Sequence, residues 1–359
     1  MSIKQVAFRT GLSTATVSRV INQSGLVKPG TAEKVRRAVR ELGYYPNTQA
    51  RALALGKSRM FGLIISDIVN PFFPEVVKSF EFAAIQSGYE VIVANTDYSS
   101  ERMGVCVRRM IERQVDGVAI LTSEIDPRLL NELCDRRLPI VFLDVGKSGP
   151  LISNIRVDYS KGIAEAVRHI VSLGHERIGF ISGPVTLKSA LTRRSAFMDC
   201  MSKSGVTGRG RIVVEGNHKV DGGQIAMTGL LSSPVRPTAV LTSNDLSAIG
   251  ALGAIHRAGL RVPEDISVIG FDDIELSQFT QPPLTTIRLS RDEVGRKAFD
   301  ALFRAVEGAR HPGHDIKVST CLVLRQSTAI VSAEGGTGSA RSSSVSKLAQ
   351  RGRSGKRVR

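Results

Sequence analysis

Nowhere in the 359 residues do eighteen apolar residues follow one another, and the segment after Met1 is polar. Neither a membrane span nor a secretory leader is expected, which predicts a soluble, cytoplasmic protein. Cysteine is scarce, and Cys106, Cys134, Cys200 and Cys321 stand far apart with no Cys-x-x-Cys pair. That spacing implies neither a zinc site nor a disulfide framework, and it predicts reduced thiols packed as small apolar side chains. Phosphate loops are missing too. No Gly-x-Gly-x-x-Gly follows the first strand-like run, Gly146-Lys-Ser148 has Val141 where a first glycine is required, and Gly25 to Gly30 is followed by Thr31 instead of Lys. Asp67, Asp158, Asp272 and Asp273 have no accompanying nucleophile or metal site, so hydroxyl binding accounts for them and no enzyme, metal or cofactor is expected. Acidic residues are nearly absent from both ends. Residues 1–60 carry +9 and residues 331–359 carry +6, so only +1 of the net +16 belongs to 61–330. Such local excess suits a polyanion, since each cation that meets a phosphate releases condensed counterions; composition alone leaves DNA, RNA and a membrane surface open.

What is present begins with three short helical periods. Ser2-Ile-Lys-Gln5 reads as a capping box opening a helix with Ile3, Val6 and Ala7 on one face, ended by Gly11. Ser13 caps a second helix whose Val17, Val20 and Ile21 face inward, leaving Thr14, Ala15, Ser18, Arg19 and Asn22 outward. A third runs from about Thr31 to Leu42, with Val35, Ala38, Val39 and Leu42 on one stripe and Gly43 beyond its end. This is the pattern of a helix-turn-helix unit, which presents the second helix to a major groove. Arg19 has the fork to bond guanine O6 and N7, and small Thr14 and Ala15 permit contact with thymine methyl groups. On pattern alone, a three-helix bundle with a solvated basic face stays open.

The runs Ile3-Lys-Gln-Val-Ala7, Ser13-Thr-Ala-Thr-Val-Ser-Arg-Val-Ile-Asn22 and Glu41-Leu-Gly-Tyr-Tyr-Pro-Asn47 resemble the headpiece of the lactose-repressor family of transcription regulators. Ala50-Arg-Ala-Leu53 resembles that family's hinge helix. The resemblance implies that Thr14, Ala15, Thr16, Ser18, Arg19 and Asn22 face operator DNA. It also implies that Leu53 enters the minor groove beside its counterpart in a second subunit, as an apolar wedge that unstacks a base step. A helix of about two turns is too short to persist alone, so the hinge is expected to order only on DNA. Two positions depart from the family: Gln5 stands where an acid is usual, and Ala54 where a basic residue is common.

From Met60 onward, short β-branched runs alternate with helical stripes such as Pro74–Gly88. Phe61–Ile65, Val91–Ala94, Val118–Leu121 and Ile140–Leu143 read as one set of strands, and Ile178–Ile181, Ala239–Leu241 and Val268–Phe271 as a second. The repeat predicts an α/β fold with two doubly wound parallel-sheet subdomains, helices on both faces, and ligands at the carboxyl ends of strands. Asp67-Ile-Val-Asn-Pro-Phe-Phe73, Val115-Asp-Gly117, Arg177–Pro184, Thr242-Ser-Asn-Asp245, Ile269-Gly-Phe-Asp272 and Pro283–Ile287 are similar, in order and spacing, to the regulators' effector domain and to periplasmic sugar-binding proteins.

The resemblance implies a ligand cleft between two lobes, contacted by Phe72, Phe73, Asp158, Arg193, His218, Asn244 and Asp272. Aromatic faces suit a sugar ring, and charged or amide groups suit pairs of hydroxyls. Phe72 and Phe73 have an alternative as core residues, Arg193 with Asp272 as a buried ion pair, and His218 as a packing residue. Ribose-type binding proteins place a glutamine near Leu289, so a hexose, a sugar acid or a phosphorylated sugar stays open. The expected organisation is a headpiece at 1–46, a hinge and linker at 47–59, an effector and dimerisation domain at 60–330, and a basic tail at 331–359. Within the large domain, one lobe spans about 60–157 plus 292–320 and the other about 158–291 plus 321–330. The tail, rich in Ser, Gly and Arg, is expected to be disordered; either a solubilising role or nonspecific DNA affinity suits it. It lacks leucine heptads, which favours a homodimer on a pseudo-palindromic operator over a tetramer. The rival reading is a cytoplasmic carbohydrate-binding or metabolising protein whose basic head is a nonspecific nucleic-acid anchor.

Overall fold

The computed structural model describes residues 1–22, 27–45, 56–122, 127–144, 148–206, 211–308 and 312–331. Leu53 and Ala54 of the expected hinge helix and the basic tail lie outside the described residues.

Helix α1, Ile3–Thr10, opens on the Ser2/Gln5 box, with Ser2 N–H donating to Gln5 Oε1 at 2.8 Å, and ends at Gly11 in the left-handed region (φ 66°). Ser13 Oγ accepts from Thr16 N–H at 3.1 Å and starts α2, Thr14–Ile21. Helix α3 spans Pro29–Leu42, so it begins before Thr31; Pro29 at the first helical position already has the φ a helix needs. Val6, Ala7, Val17, Val20, Val35 and Ala38 form the buried centre of the three helices.

The chain divides into two units, Met1–Val157 with Ser290–Val318 and Asp158–Leu289 with the residues from Ser319 onward. Beyond the three helices, the first unit contains β1 (Met60–Ile65), α4 (Phe72–Gln86), β2 (Glu90–Asn95), α5 (Ser100–Glu112), β3 (Gly117–Leu121), α6 (Pro127–Asp135), β4 (Ile140–Leu143) and β5 (Ile152–Asp158). Its strands run parallel in the order β2-β1-β3-β4-β5, with Phe61 opposite Gly117 and Ile140 opposite Ile152. Helix α4 starts at Phe72 and not at Pro74, because Asn70 Oδ1 accepts from Phe72 N–H at 3.1 Å and turns the chain into the helix there. Helix α11, Arg291–Glu307, returns from the second unit and packs on α4. Phe61, Phe80 and Phe299 meet edge to face, with Tyr89 stacked on Phe61 at 4.2 Å. Each fully buried phenylalanine stabilises by about 1.5–3 kcal/mol, whereas exposed ion pairs such as Arg296–Asp292 on α11 contribute about 0–1 kcal/mol. The aromatic cluster therefore dominates the attachment of α4 and α11 to the sheet.

The second unit contains α7 (Tyr159–Ser172), β6 (Ile178–Ser182), α8 (Lys188–Lys203), β7 (Arg211–Glu215), α9 (Val220–Leu231), β8 (Ala239–Thr242), α10 (Asp245–Arg257), β9 (Ser267–Asp272) and β10 (Thr285–Leu289). Strand β11, Asp315–Val323, begins in the first unit and ends here, antiparallel to β10 with Leu289 opposite Thr320. The other pairings are parallel, in the order β7-β6-β8-β9-β10. Helices α9 and α10 touch backbone to backbone, since a Cβ at Gly250 would lie 2.0 Å from Val220 O. The expectation of packed thiols holds for buried Cys106 but not for Cys321, which β11 turns outward to solvent. Among the described residues no helix is long and apolar enough to cross a membrane.

Candidate functional site

Two groups of residues carry chemistry, and the first is the face of α2. Thr14, Ala15 and Arg19 are exposed, while Thr16, Ser18 and Asn22 are half-buried. Ser13 and Thr16 hydroxyls lie 2.9 Å apart and Asn22 Nδ2 donates to Ser18 Oγ at 3.1 Å, so these four brace the helix ends. Val17 and Val20 anchor the opposite side in the core. The arrangement presents a guanidinium and two small side chains on a rigid, outward helix face.

The second group gathers at the carboxyl ends of β6, β8 and β9 in the second unit. Arg193, on α8, is only 9% exposed. Its guanidinium carbon lies 4.4 Å from the Phe271 ring centre and 5.0 Å from that of Tyr159. A flat cation held against aromatic faces away from water gains about 2 kcal/mol from the ring quadrupoles. Nη1 donates to the Ser243 carbonyl, and Nη2 stands 4.0 Å from Asp272 Oδ1.

Asp272 and Asp273 both take left-handed backbone conformations, φ 109° and 57°. Such residues cost on the order of 1–3 kcal/mol each and persist only where their surroundings hold them. Here Asp273 is pinned by Arg288 and Arg325, each at 2.6 Å. Beside them, Asp245 is fully buried, accepting from Thr286 Oγ1 at 2.5 Å and from Ile274 N–H at 2.8 Å; burial, with Asp272 adding, pushes its carboxyl well above the usual range.

His218 is buried at φ 62°, and Asn244 Nδ2 donates to its carbonyl at 2.8 Å. Asn244 Oδ1 meanwhile accepts from Ser247 N–H at 2.9 Å and caps α10. Burial first, then the neighbouring Arg193 cation, pushes the imidazole down to about 3, so it is neutral near pH 7. The predicted residues Arg193, His218, Asn244 and Asp272 are thus brought together. Asp158 is half-buried and caps α7, accepting from Lys161 N–H at 3.2 Å. Phe72 and Phe73 belong to the first unit, where both are buried and meet edge to face at 5.2 Å. Sequence reasoning did not name Tyr159 and Phe271, although each adjoins a named acid, and it did not name Gly183, against which His218 packs. Leu289 is 1% exposed, a core residue of its strand. Among the described residues no cluster of His, Cys, Asp or Glu is arranged to hold a metal ion.

A family model described as bacterial regulatory proteins, lacI family, matches residues 2–47, and one described as a periplasmic binding protein-like domain matches residues 167–328. The chain is similar to the HTH-type transcriptional repressor PurR of Photobacterium profundum, at 34% identity over 91% of this chain and 98% of that protein. It is similar to the ribose operon repressor of Escherichia coli K12, at 36% identity over 85% and 93% of the two chains. Among solved structures, the lac repressor dimer bound to operator and the anti-inducer ONPF matches with a TM-score of 0.82 at 31% identity, covering 92% of this chain and 99% of that one. A ribose-bound LacI family regulator from Enterococcus faecium matches with a TM-score of 0.70 at 26% identity, covering 76% of this chain and all of that one.

Proposed function

The chain belongs to the lacI family of bacterial regulatory proteins, and we propose that it is a cytoplasmic, homodimeric repressor without enzymatic activity, released or tightened on its operator by a small sugar-like effector. The observation that carries the effector half is the buried constellation of the second unit. Arg193 lies flat against Tyr159 and Phe271 with Asp272 beside it, a donor fork and an acceptor suited to vicinal hydroxyls, next to a neutral His218. Similarity to ribose operon repressors and to a ribose-bound regulator supports a sugar in that place.

In the DNA half of the reading, Arg19, Thr14 and Ala15 touch base edges from α2. Thr16, Ser18 and Asn22 serve the phosphates or hold the helix in register, and Leu53 is the minor-groove wedge. Pairing with a second copy is supported in each unit by large apolar side chains left exposed, Phe82 and Ile85 on α4 in the first and Ile225 on α9 with Phe279 in the second. An effector shifts operator binding only through different affinities for the two states, so the operator must weaken or strengthen effector binding by the same factor.

The test is selection of duplexes from a random pool by the full chain, with and without D-ribose, sugar acids and sugar phosphates, alongside thermal shifts for each compound. A palindromic consensus and one compound that both raises the melting midpoint and changes operator affinity are expected. Binding to all duplexes alike at every salt concentration would remove the reading.

A further inference from the structure

The segment leading from the headpiece into β1 is tied down by two carboxylates. Ser58 donates to Asp116 Oδ1 from its backbone N–H at 2.8 Å and from its hydroxyl at 2.9 Å, and Arg59 N–H donates to Oδ2 at 2.9 Å. Both oxygens of one carboxylate thus receive donors from two consecutive residues, and bonds to an ionised acceptor are about twice as strong as neutral ones. Asp116 lies immediately before β3, an inner strand, and its own N–H donates to Met60 O at 2.8 Å. Arg59 turns through the left-handed region (φ 52°), and its carbonyl accepts from Glu90 N–H at 2.9 Å.

One residue earlier, Lys57 Nζ is 3.0 Å from Glu307 Oε1, which also accepts from Tyr89 OH at 2.8 Å. Glu307 is the last residue of α11, and Lys57 and Tyr89 together hold its carboxyl below the usual range. The backbone of Ser58–Met60 is therefore tied to the starts of β2 and β3, and the Lys57 side chain to the end of α11. All of these groups sit at the amino ends of β1 and β3, away from the carboxyl ends where ligands bind in such sheets.

We propose that Asp116, assisted by Glu307, is a positioning residue that fixes where the DNA-reading head leaves the core and so sets the half-site spacing the dimer accepts. The proposal rests on the operator-binding reading above. Each inserted base pair lengthens a duplex by about 3.4 Å, so two at the operator centre move the half-sites apart by about 7 Å. Releasing Gly56–Arg59 would free up to about 14 Å of chain at roughly 3.5 Å per residue. With the root clamped, the extra length has to come from the hinge segment at the expense of its ordering on DNA; a released root supplies that length itself. The Asp116 bonds matter more than the Lys57 pair, whose two side chains are exposed to solvent and screened by salt.

The experiment uses the full chain and the duplex it selects from random sequence, with a second duplex carrying two extra central base pairs. Affinities are read by fluorescence anisotropy for the wild-type protein, for Asp116→Ala, and, should that variant fail to fold, for Asp116→Asn combined with Glu307→Gln, in which an uncharged amide with a single acceptor oxygen replaces the carboxylate that receives three donors. For wild type the insertion is expected to weaken binding by about tenfold or more, the scale of one mismatched base pair. For the released variants the loss is expected to shrink to about threefold or less, with the half-site sequence preference kept. An insertion penalty that stays at the wild-type level, or a wild-type protein indifferent to the insertion, overturns the proposal while leaving operator recognition standing. A protein that selects no sequence at all removes the operator reading itself, and the proposal with it.

Discussion

The imidazole of His218 occupies the space that a side chain would take at Gly183, where a Cβ would fall 1.9 Å from Nε2. Asn244 donates to the backbone carbonyl of His218 and the residue is buried, so the ring can make way only by changing its rotamer inside a packed site. Gly183→Ala is therefore expected to destabilise the second unit by about 1–3 kcal/mol, the usual cost of overpacking. It should also weaken effector binding through the displaced ring. Calorimetric melting with and without ligand measures both, and an unaltered midpoint would refute the packing argument.

Acid should loosen the second unit through the same histidine. The unfolded chain protonates His218 near 6.5, whereas the folded chain resists until about 3. Stability from this group is thus full above about 6.5 and is lost as pH falls below it, by up to about 1.4 kcal/mol per pH unit. His169 and His175, also lowered by burial, act in the same direction, whereas Asp245, raised by burial, loses its contribution as pH rises. Comparison of wild type with His218→Asn separates the terms: between pH 7 and 5 the variant should lose less stability in urea titrations. Parallel declines would exclude His218 as a source.

Arg193 is expected to tolerate no conservative exchange. Lysine offers a point charge where the site holds a planar fork against two rings, so Arg193→Lys should reduce effector affinity by at least about tenfold. Arg193→Ala should abolish the effector response and leave operator affinity nearly intact. Titration of the ligand found by thermal shift, followed by operator binding, decides this; a normal response in Arg193→Ala removes the assignment.

Arg19→Ala should cost about 1–3 kcal/mol at one operator position and relax base preference there alone. Sequencing of duplexes selected by the variant tests it, and an unchanged consensus would move base reading to another residue of α2.

The headpiece was legible because its determinants are local. The Ser2/Gln5 box, the Ser13 cap and Gly11 each act within one helical turn; the structure starts α3 two residues earlier, at Pro29, and half-buries Ser18 and Asn22, which were expected to face outward. Strands with unbroken apolar runs, such as β3 and β9, were equally plain. Strands β5, β10 and β11 were not named, because Ile152-Ser-Asn-Ile-Arg-Val-Asp158 and its like interrupt the apolar run with polar residues, and β7 was not named because its run, Ile212-Val-Val214, is only three residues long between Arg211 and Glu215. In the second unit, Arg193, His218, Asn244 and Asp272 were reached through resemblance, and their environments were not. Tyr159 and Phe271 follow or precede named acids by one residue, yet whether a neighbouring side chain covers a guanidinium depends on which way the backbone turns, here through the left-handed Asp272.

His218 and Gly183 mark the division between the two. Helix caps, the alternation of strands and helices, and the concentration of positive charge at the two ends follow from the amino-acid order, because each depends on neighbours within a turn or two of chain. Only the tertiary structure decided that Asn244 caps a helix while holding the His218 carbonyl, that His218 is neutral, and that Asp116 grips Ser58 and Arg59 across separations of 58 and 57 residues. Those outcomes depend on burial and on contacts between distant segments, and both exist only once the sheets have formed and excluded water.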